Sequence, residues 1–200
     1  PVSNLAVVLD EFICPKKNDQ RKALDNLYNE LRQKVPSFQW SQQEFLQSFP
    51  LHPQVLKITP ALRTYARTFS LFSFFYNVTP RTIMRRGFNL ISLVEVFETF
   101  EYDLRRNGTL TYLFNTYDYL LDNFVKALPS TQQFQGKFLL RAITLLSLTE
   151  KPFTALQLAD SVMVFDDSPA VLFCQSMKTI MDFMVTAAGE KMIVITEGVE

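Results

Sequence analysis

The sequence predicts an all-α protein, a single-domain bundle of about eight helices in antiparallel pairs with a short extended C-terminal tail. Hydrophobic residues make up 48% of the 200-residue chain and charged residues 20%, a balance that allows a buried core. Phe occurs 19 times and Gly only 5 times, which favours long regular elements over a loop-rich β structure. We expect one helical domain over residues 1–188 and an extended tail over residues 189–200.

The N-terminal quarter of the chain predicts three helices. Apolar residues recur at helical spacing over residues 4–13 and again over residues 19–34, where Pro36 ends the second helix. Ser41 and Glu44 form a capping-box sequence, in which the hydroxyl accepts from the Glu44 amide and the carboxylate reaches back. This box predicts a short third helix.

Hydroxyl–proline pairs predict the starts of three further helices, because proline at the first helical position loses no hydrogen bond. These pairs are Thr59-Pro60, Thr79-Pro80 and Ser168-Pro169. The apolar residues after Pro60 predict a central core helix over residues 60–76. The next apolar run covers residues 90–104, and whether Gly87 kinks one helix or separates two is left open.

The C-terminal half predicts more helices and the tail. The helices are expected over residues 111–128, 131–149, 153–165 and 169–188. The β-branched, apolar residues 192–196 predict the extended tail. A tandem helical repeat is the alternative to a simple bundle, but small residues do not recur at fixed offsets in the preceding helix pairs.

The sequence lacks the motifs of catalytic, cofactor and metal sites. His52 is the only histidine and is expected in a loop without a partner set. Cys14 and Cys174 lie far apart without metal-ligand spacing, and no nucleophile elbow or phosphate-binding loop is present. Asp118 and Asp122 are one helical turn apart and are interpreted as solvated carboxylates rather than metal ligands. We therefore expect no enzyme activity, cofactor, metal or small-molecule substrate.

One charge asymmetry indicates a binding region, although the net charge is zero. Between Leu51 and Val94 there is no acidic residue, and the basic residues there are Lys57, Arg63, Arg67, Arg81, Arg85 and Arg86. The arginines are expected as two pairs on helix faces, with Arg81, Arg85 and Arg86 near a helix N-terminus that favours anions. Arginine pairs with phosphate, and Tyr65 can stack on a base. The predicted nucleic-acid site comprises Arg63, Arg67, Arg81, Arg85, Arg86 and Tyr65.

An equally good interpretation pairs these arginines with the acidic residues of the C-terminal region. Those residues are Asp160, Asp166, Asp167 and Asp182. A chain that is basic in the middle and acidic near the end would also suit head-to-tail association.

The sequence therefore favours a non-catalytic assembly protein that self-associates and binds single-stranded nucleic acid, as a nucleocapsid or coat subunit does. The alternative is a helical protein–protein interaction module or scaffold subunit. The expected partners are copies of the chain or another protein, with single-stranded RNA as the candidate nucleic acid. No signal peptide or transmembrane segment is recognised, which predicts no membrane span and a cytoplasmic or other intracellular location.

Overall fold

A computed structural model describes residues 2–34, 38, 40–82, 90–149, 153 and 155–162, and in these residues every regular element is helical. The predicted all-α class is confirmed. The helices are α1 Val2–Val8, α2 Asn18–Lys34, α3 Gln42–Ser48, α4 Pro53–Tyr65, α5 Leu71–Thr82, α6 Leu93–Arg105, α7 Thr111–Leu120, α8 Ser130–Ser147 and α9 Ala155–Val162. The predicted helix over residues 169–188 and the predicted tail lie outside the described residues.

Helix starts follow local capping signals. The predicted capping box of α3 is confirmed, because the Ser41 hydroxyl accepts from the Glu44 amide and the Glu44 carboxylate accepts from the Ser41 amide. A second box, formed by Ser92 and Glu95, begins α6. Each such cap satisfies amides that a helix leaves unpaired and stabilises it by about 1 kcal/mol.

The predicted central helix over residues 60–76 is instead two helices. Helix α4 ends at Tyr65 and α5 begins at Leu71. Helix α4 also starts earlier than predicted, because His52 acts as its N-cap and Pro53 occupies the first helical position. Pro60 consequently lies inside the helix.

Helix α5 runs through the predicted helix start at Thr79-Pro80 and ends at Thr82. The Thr79 hydroxyl donates to the Phe75 carbonyl at 2.6 Å and therefore does not cap a new helix. Arg81 lies in the last turn of α5 and not in the first turn of a following helix. The expected position of Arg81 beside a helix N-terminus is therefore wrong.

Helices α4 and α6, which α5 separates in sequence, run parallel. Leu51 and Ile91, just before the two helices, form a parallel bridge in which the His52 amide donates to the Ile91 carbonyl at 2.8 Å. Each helix has 13 residues, so their C-terminal ends also lie side by side. At that end the Asn107 side-chain amide donates to the Tyr65 carbonyl at 3.0 Å.

The core is rich in phenylalanine and lies between α4, α5, α6, α7 and α8. A smaller hydrophobic cluster, which includes Phe38 and Phe45, joins α2 and α3. Helix α9 covers α8 and α6, and its Leu158 and Val162 have no exposed surface. Burial of one such side chain contributes about 1.5–3 kcal/mol. Within the described ranges, no helix combines the length and the apolar character that a membrane crossing requires.

Candidate functional site

The functional candidates lie at the two ends of the parallel α4–α6 pair. We call the exposed end, residues 63–68 and 102–107, the C-terminal corner. We call the pair of Trp40 and the buried His52, which receives Asp160 from α9, the socket. The corner contains part of the predicted nucleic-acid site, and the socket was not predicted.

Two side-chain hydrogen bonds hold the C-terminal corner together. The Asn107 side-chain amide donates to the Tyr65 carbonyl at 3.0 Å. The Thr68 hydroxyl donates to the Asp103 carboxylate. These contacts place the residues that end α4 against the residues that end α6, so side chains from both ends can reach one ligand.

Arg63 and Arg67 are exposed at this corner, and neither forms an ion pair with another described residue. Arg63 lies in the last turn of α4, and Arg67 lies in the turn after the C-cap, Ala66. The predicted common helix face does not exist, because the helix ends between the two arginines. Tyr65 is half-buried and contributes its carbonyl to the corner.

Arg106 and Tyr102 add a cation and an aromatic ring that the sequence analysis missed. The Arg106 guanidinium carbon lies 5.5 Å from the centroid of the Tyr102 ring, and Tyr102 is 70% exposed. The missed signal is the arginine pair directly before Asn107-Gly108, which falls beyond the acid-free stretch. The described chain thus presents three exposed arginines and one exposed tyrosine at the corner.

Arg105, next to Arg106 in sequence, is charged but already paired with two carboxylates. Its guanidinium donates to both Asp118 carboxylate oxygens, at 2.9 and 2.7 Å, and to Glu101 at 2.9 Å. The hydrogen bonds that Arg105 donates to Asp118 outweigh the cost of burial and raise the pKa of Arg105 above its usual range. Arg105 therefore holds α6 to α7 and is not available to a ligand.

The rest of the predicted site is not brought to the corner. Arg81 is exposed at the end of α5, and no contact in the described part of the chain joins it to the corner. Arg85 and Arg86 lie outside the described residues, so their predicted role stays a prediction.

The interpretation that pairs the arginines with C-terminal acids gains no support from the acid that is described. Asp160 contacts Trp40 and His52 and none of the predicted arginines. Helix polarity offers a structural reason for the arginines instead. A cation near a helix C-terminus typically stabilises the helix by about 0.3–1 kcal/mol, and Arg63, Arg81 and Arg105 all lie in last turns.

The socket lies at the opposite, buried end of the helix pair. His52 has 0% exposure, and its Nδ1 accepts from the Gln54 amide at 3.1 Å. A neutral imidazole in this arrangement carries its proton on Nε2, which lies 3.5 Å from Asp160 Oδ2. The Trp40 indole donates to the same oxygen at 2.7 Å. His52 lies outside the helices, as expected, but as a buried N-cap that faces Asp160, a neighbour the sequence did not indicate.

The socket explains how a carboxylate can be buried on α9. Asp160 is 6% exposed and reaches the N-terminal end of α4, where the helix dipole favours negative charge. The indole N–H supplies one strong hydrogen bond. The socket is only partly satisfied, because Asp160 Oδ1 and His52 Nε2 form no hydrogen bond in the described structure.

The groups considered for chemistry from the sequence are buried or ion-paired where the structure describes them. His52 has no exposed surface, so a substrate cannot reach its imidazole in this conformation. No group of three or more potential metal ligands occurs among the described residues. Asp118 and Asp122, considered as a metal pair from the sequence, bind Arg105 and Lys126.

No protein-family model, curated protein or solved structure matches this chain.

Proposed function

We propose that the protein is a non-catalytic assembly subunit that self-associates and binds single-stranded nucleic acid at the C-terminal corner. The observation that carries the nucleic-acid part is the hydrogen bond from Asn107 to the Tyr65 carbonyl, which we call the tie between α4 and α6. The exposed Arg63 and Arg67 lie within two residues of its α4 end, and the exposed Arg106 lies 5.5 Å from the Tyr102 ring near its α6 end.

The chemistry of these side chains fits a single strand. A guanidinium pairs with a phosphate through two parallel hydrogen bonds. An aromatic ring that stacks on an unpaired base contributes about 1–3 kcal/mol per base. A base inside a duplex is already stacked, so Tyr102 favours single strands over duplexes.

Two features of the corner oppose anion binding and set a modest affinity. The C-terminal ends of α4 and α6 carry partial negative charge, and Asp103 adds a carboxylate. Binding therefore depends on the arginines and should weaken steeply as salt rises. For a single strand, three phosphate contacts correspond to a slope of about −2 in log affinity against log salt.

Binding can be measured by fluorescence anisotropy with labelled single-stranded oligouridine at low salt. The triple variant Arg63→Ala, Arg67→Ala, Arg106→Ala is expected to bind at least about tenfold more weakly, because each removed contact also removes counterion release. A labelled duplex RNA of equal length is expected to bind more weakly than the single strand. Circular dichroism establishes that the variant is folded.

Arg81→Ala is the matched control, because Arg81 is an exposed arginine of the same acid-free stretch outside the corner. We expect it to change the affinity less than threefold, as a general charge effect. Equal losses from Arg81→Ala and from a single corner substitution would show that the corner is not a specific site. Absence of binding by the unchanged protein would remove the nucleic-acid proposal.

A protein–protein interaction module is the second candidate, and exposed aromatic side chains outside the corner favour it. Phe12 is 73% exposed, and Phe134 is 56% exposed and packs in a tilted arrangement against Phe138 with ring centroids 4.1 Å apart. Aromatic side chains are enriched at protein interfaces. If Phe12→Ser or Phe134→Ser lowers the mass measured by light scattering while oligouridine binding is unchanged, the protein contacts lie on these faces.

A further inference from the structure

We propose that α9 is exchangeable between copies of the chain, and that the socket can bind either its own α9 or the α9 of a second copy. This inference rests on the proposed self-association and supplies a site for it. The site lies at the opposite end of the α4–α6 pair from the C-terminal corner.

Helix α9 depends on docking for its structure. Its described part, Ala155–Val162, has eight residues, and isolated helical segments shorter than about 12–15 residues are marginal in water. Its Leu158 and Val162 are completely buried against the rest of the protein. When α9 leaves, it loses its stability and uncovers apolar surface on α8.

Asp160 gives the docking its specificity. Its Oδ2 accepts from the Trp40 indole at 2.7 Å and lies 3.5 Å from His52 Nε2. If α9 departs, the Trp40 indole loses its acceptor and His52 loses the carboxylate it faces, so a carboxylate-bearing helix is favoured in their place. A replacement occupant must therefore present an apolar helix face with a carboxylate at one position.

Two buried polar atoms where α9 meets the socket form no hydrogen bond, which favours exchange. Asp160 Oδ1 is buried without a hydrogen bond, and His52 Nε2 does not form one either. These unsatisfied atoms offset part of the free energy gained from burial of the apolar face. Opening of α9 should therefore cost less than unfolding of the core helices.

The occupant that fits an emptied socket is α9 of a second copy, because it makes the same contacts. Exchange of an identical element is a low-cost route to a dimer. Helix α8 ends at Ser147 and α9 begins at Ala155. The connection 148–154 can extend to about 25 Å, enough to carry α9 to an adjacent molecule.

The single tryptophan of the chain allows a direct test, since Trp40 lies in the socket. Asp160→Ala removes the carboxylate and keeps the socket, whereas Trp40→Phe removes the indole and keeps α9 intact. Asp160→Ala alone is expected to show red-shifted tryptophan emission. Asp122→Ala, a surface control, is expected to keep the emission of the unchanged protein.

Mixing the two variants tests exchange. All tryptophan emission then comes from Asp160→Ala, because the Trp40→Phe chain has no tryptophan. Increasing amounts of Trp40→Phe are expected to move the emission back towards that of the unchanged protein, as its α9 fills the other chain's socket. The double variant Trp40→Phe, Asp160→Ala is expected to produce no such return.

Three results would overturn the proposal: no emission shift in Asp160→Ala, no return on mixing, or an equal return with the double variant. If circular dichroism shows that Asp160→Ala does not fold, Asp160→Asn takes its place in the same mixture. Failure of exchange leaves oligouridine binding at the corner unchanged, so the two proposals fail separately.

Discussion

The two ends of the parallel α4–α6 pair use the same helix electrostatics for opposite purposes. At the N-terminal ends, one carboxylate from α9 is buried among Trp40 and His52. At the C-terminal ends, Arg63 and Arg106 remain exposed. Both placements complement the helix dipoles, but only the exposed charges can meet a ligand. Burial, rather than charge alone, separates an internal contact from a binding surface.

Substitution at the socket should give the largest change in stability. Asp160→Ala is expected to lower the free energy of unfolding by about 2–3 kcal/mol, because it leaves the Trp40 indole N–H without its acceptor and removes the carboxylate that faces His52. Urea denaturation measures this loss. Asp122→Ala, which removes an exposed ion pair with Lys126, should cost less than about 1 kcal/mol. Equal losses in the two variants would contradict the structural role of the socket.

Loss of the hydrogen bond from Asn107 to Tyr65 should have an intermediate effect on stability. Asn107→Asp keeps the oxygen that accepts from the Thr109 amide but loses the amide that donates to the Tyr65 carbonyl. We expect a loss of about 1–2 kcal/mol in unfolding free energy and weaker oligouridine binding, because the two helix ends separate. Asn115→Asp, on the exposed face of α7, is the charge-matched control. Binding that falls equally in both variants would indicate an effect of charge alone.

Removal of the Asp118 carboxylate that holds Arg105 should give the smallest effect, an increase in nucleic-acid binding. Asp118→Asn removes the carboxylate that accepts two hydrogen bonds from Arg105, leaving a freer guanidinium near the corner. Oligouridine affinity is expected to rise by about twofold to threefold at low salt. A fall in affinity would show that Arg105 contributes only as a tie between α6 and α7.

The same substitution should change the dependence of stability on pH. Hydrogen bonds from Arg105 outweigh burial and lower the pKa of Asp118 below its ordinary value of 3.8. Stability from this pair is therefore present above that value and is lost as the pH falls through the lowered pKa. In Asp118→Asn, the free energy of unfolding should decrease less between about pH 4 and pH 2. Chemical denaturation across this range measures the difference.

The sequence predicted a local feature correctly, the capping box of α3, whereas the hydroxyl–proline pairs at Pro60 and Pro80 gave wrong helix starts and long-range features were missed. The capping box at Ser41 and Glu44 could be read directly, because its partners are three residues apart. The break between α4 and α5 could not, because residues 66–70 contain neither Gly nor Pro and the turn depends on contacts such as Thr68 with Asp103. Tertiary contacts overrode helical periodicity there.

The candidate sites show the same limit. Arg63 and Arg67 were predicted as binding residues from the sequence. Arg106 was missed because only the hydrogen bond between Asn107 and Tyr65 brings its helix end to theirs. The socket links Trp40 to Asp160 across 120 residues, a pairing that no local pattern indicates.

The salt dependence of oligouridine binding tests the central claim most directly. For the unchanged protein, log affinity should fall with log salt with a slope of about −2, and the triple variant of Arg63, Arg67 and Arg106 should bring the slope close to zero. An unchanged slope in the folded triple variant would contradict binding at the C-terminal corner.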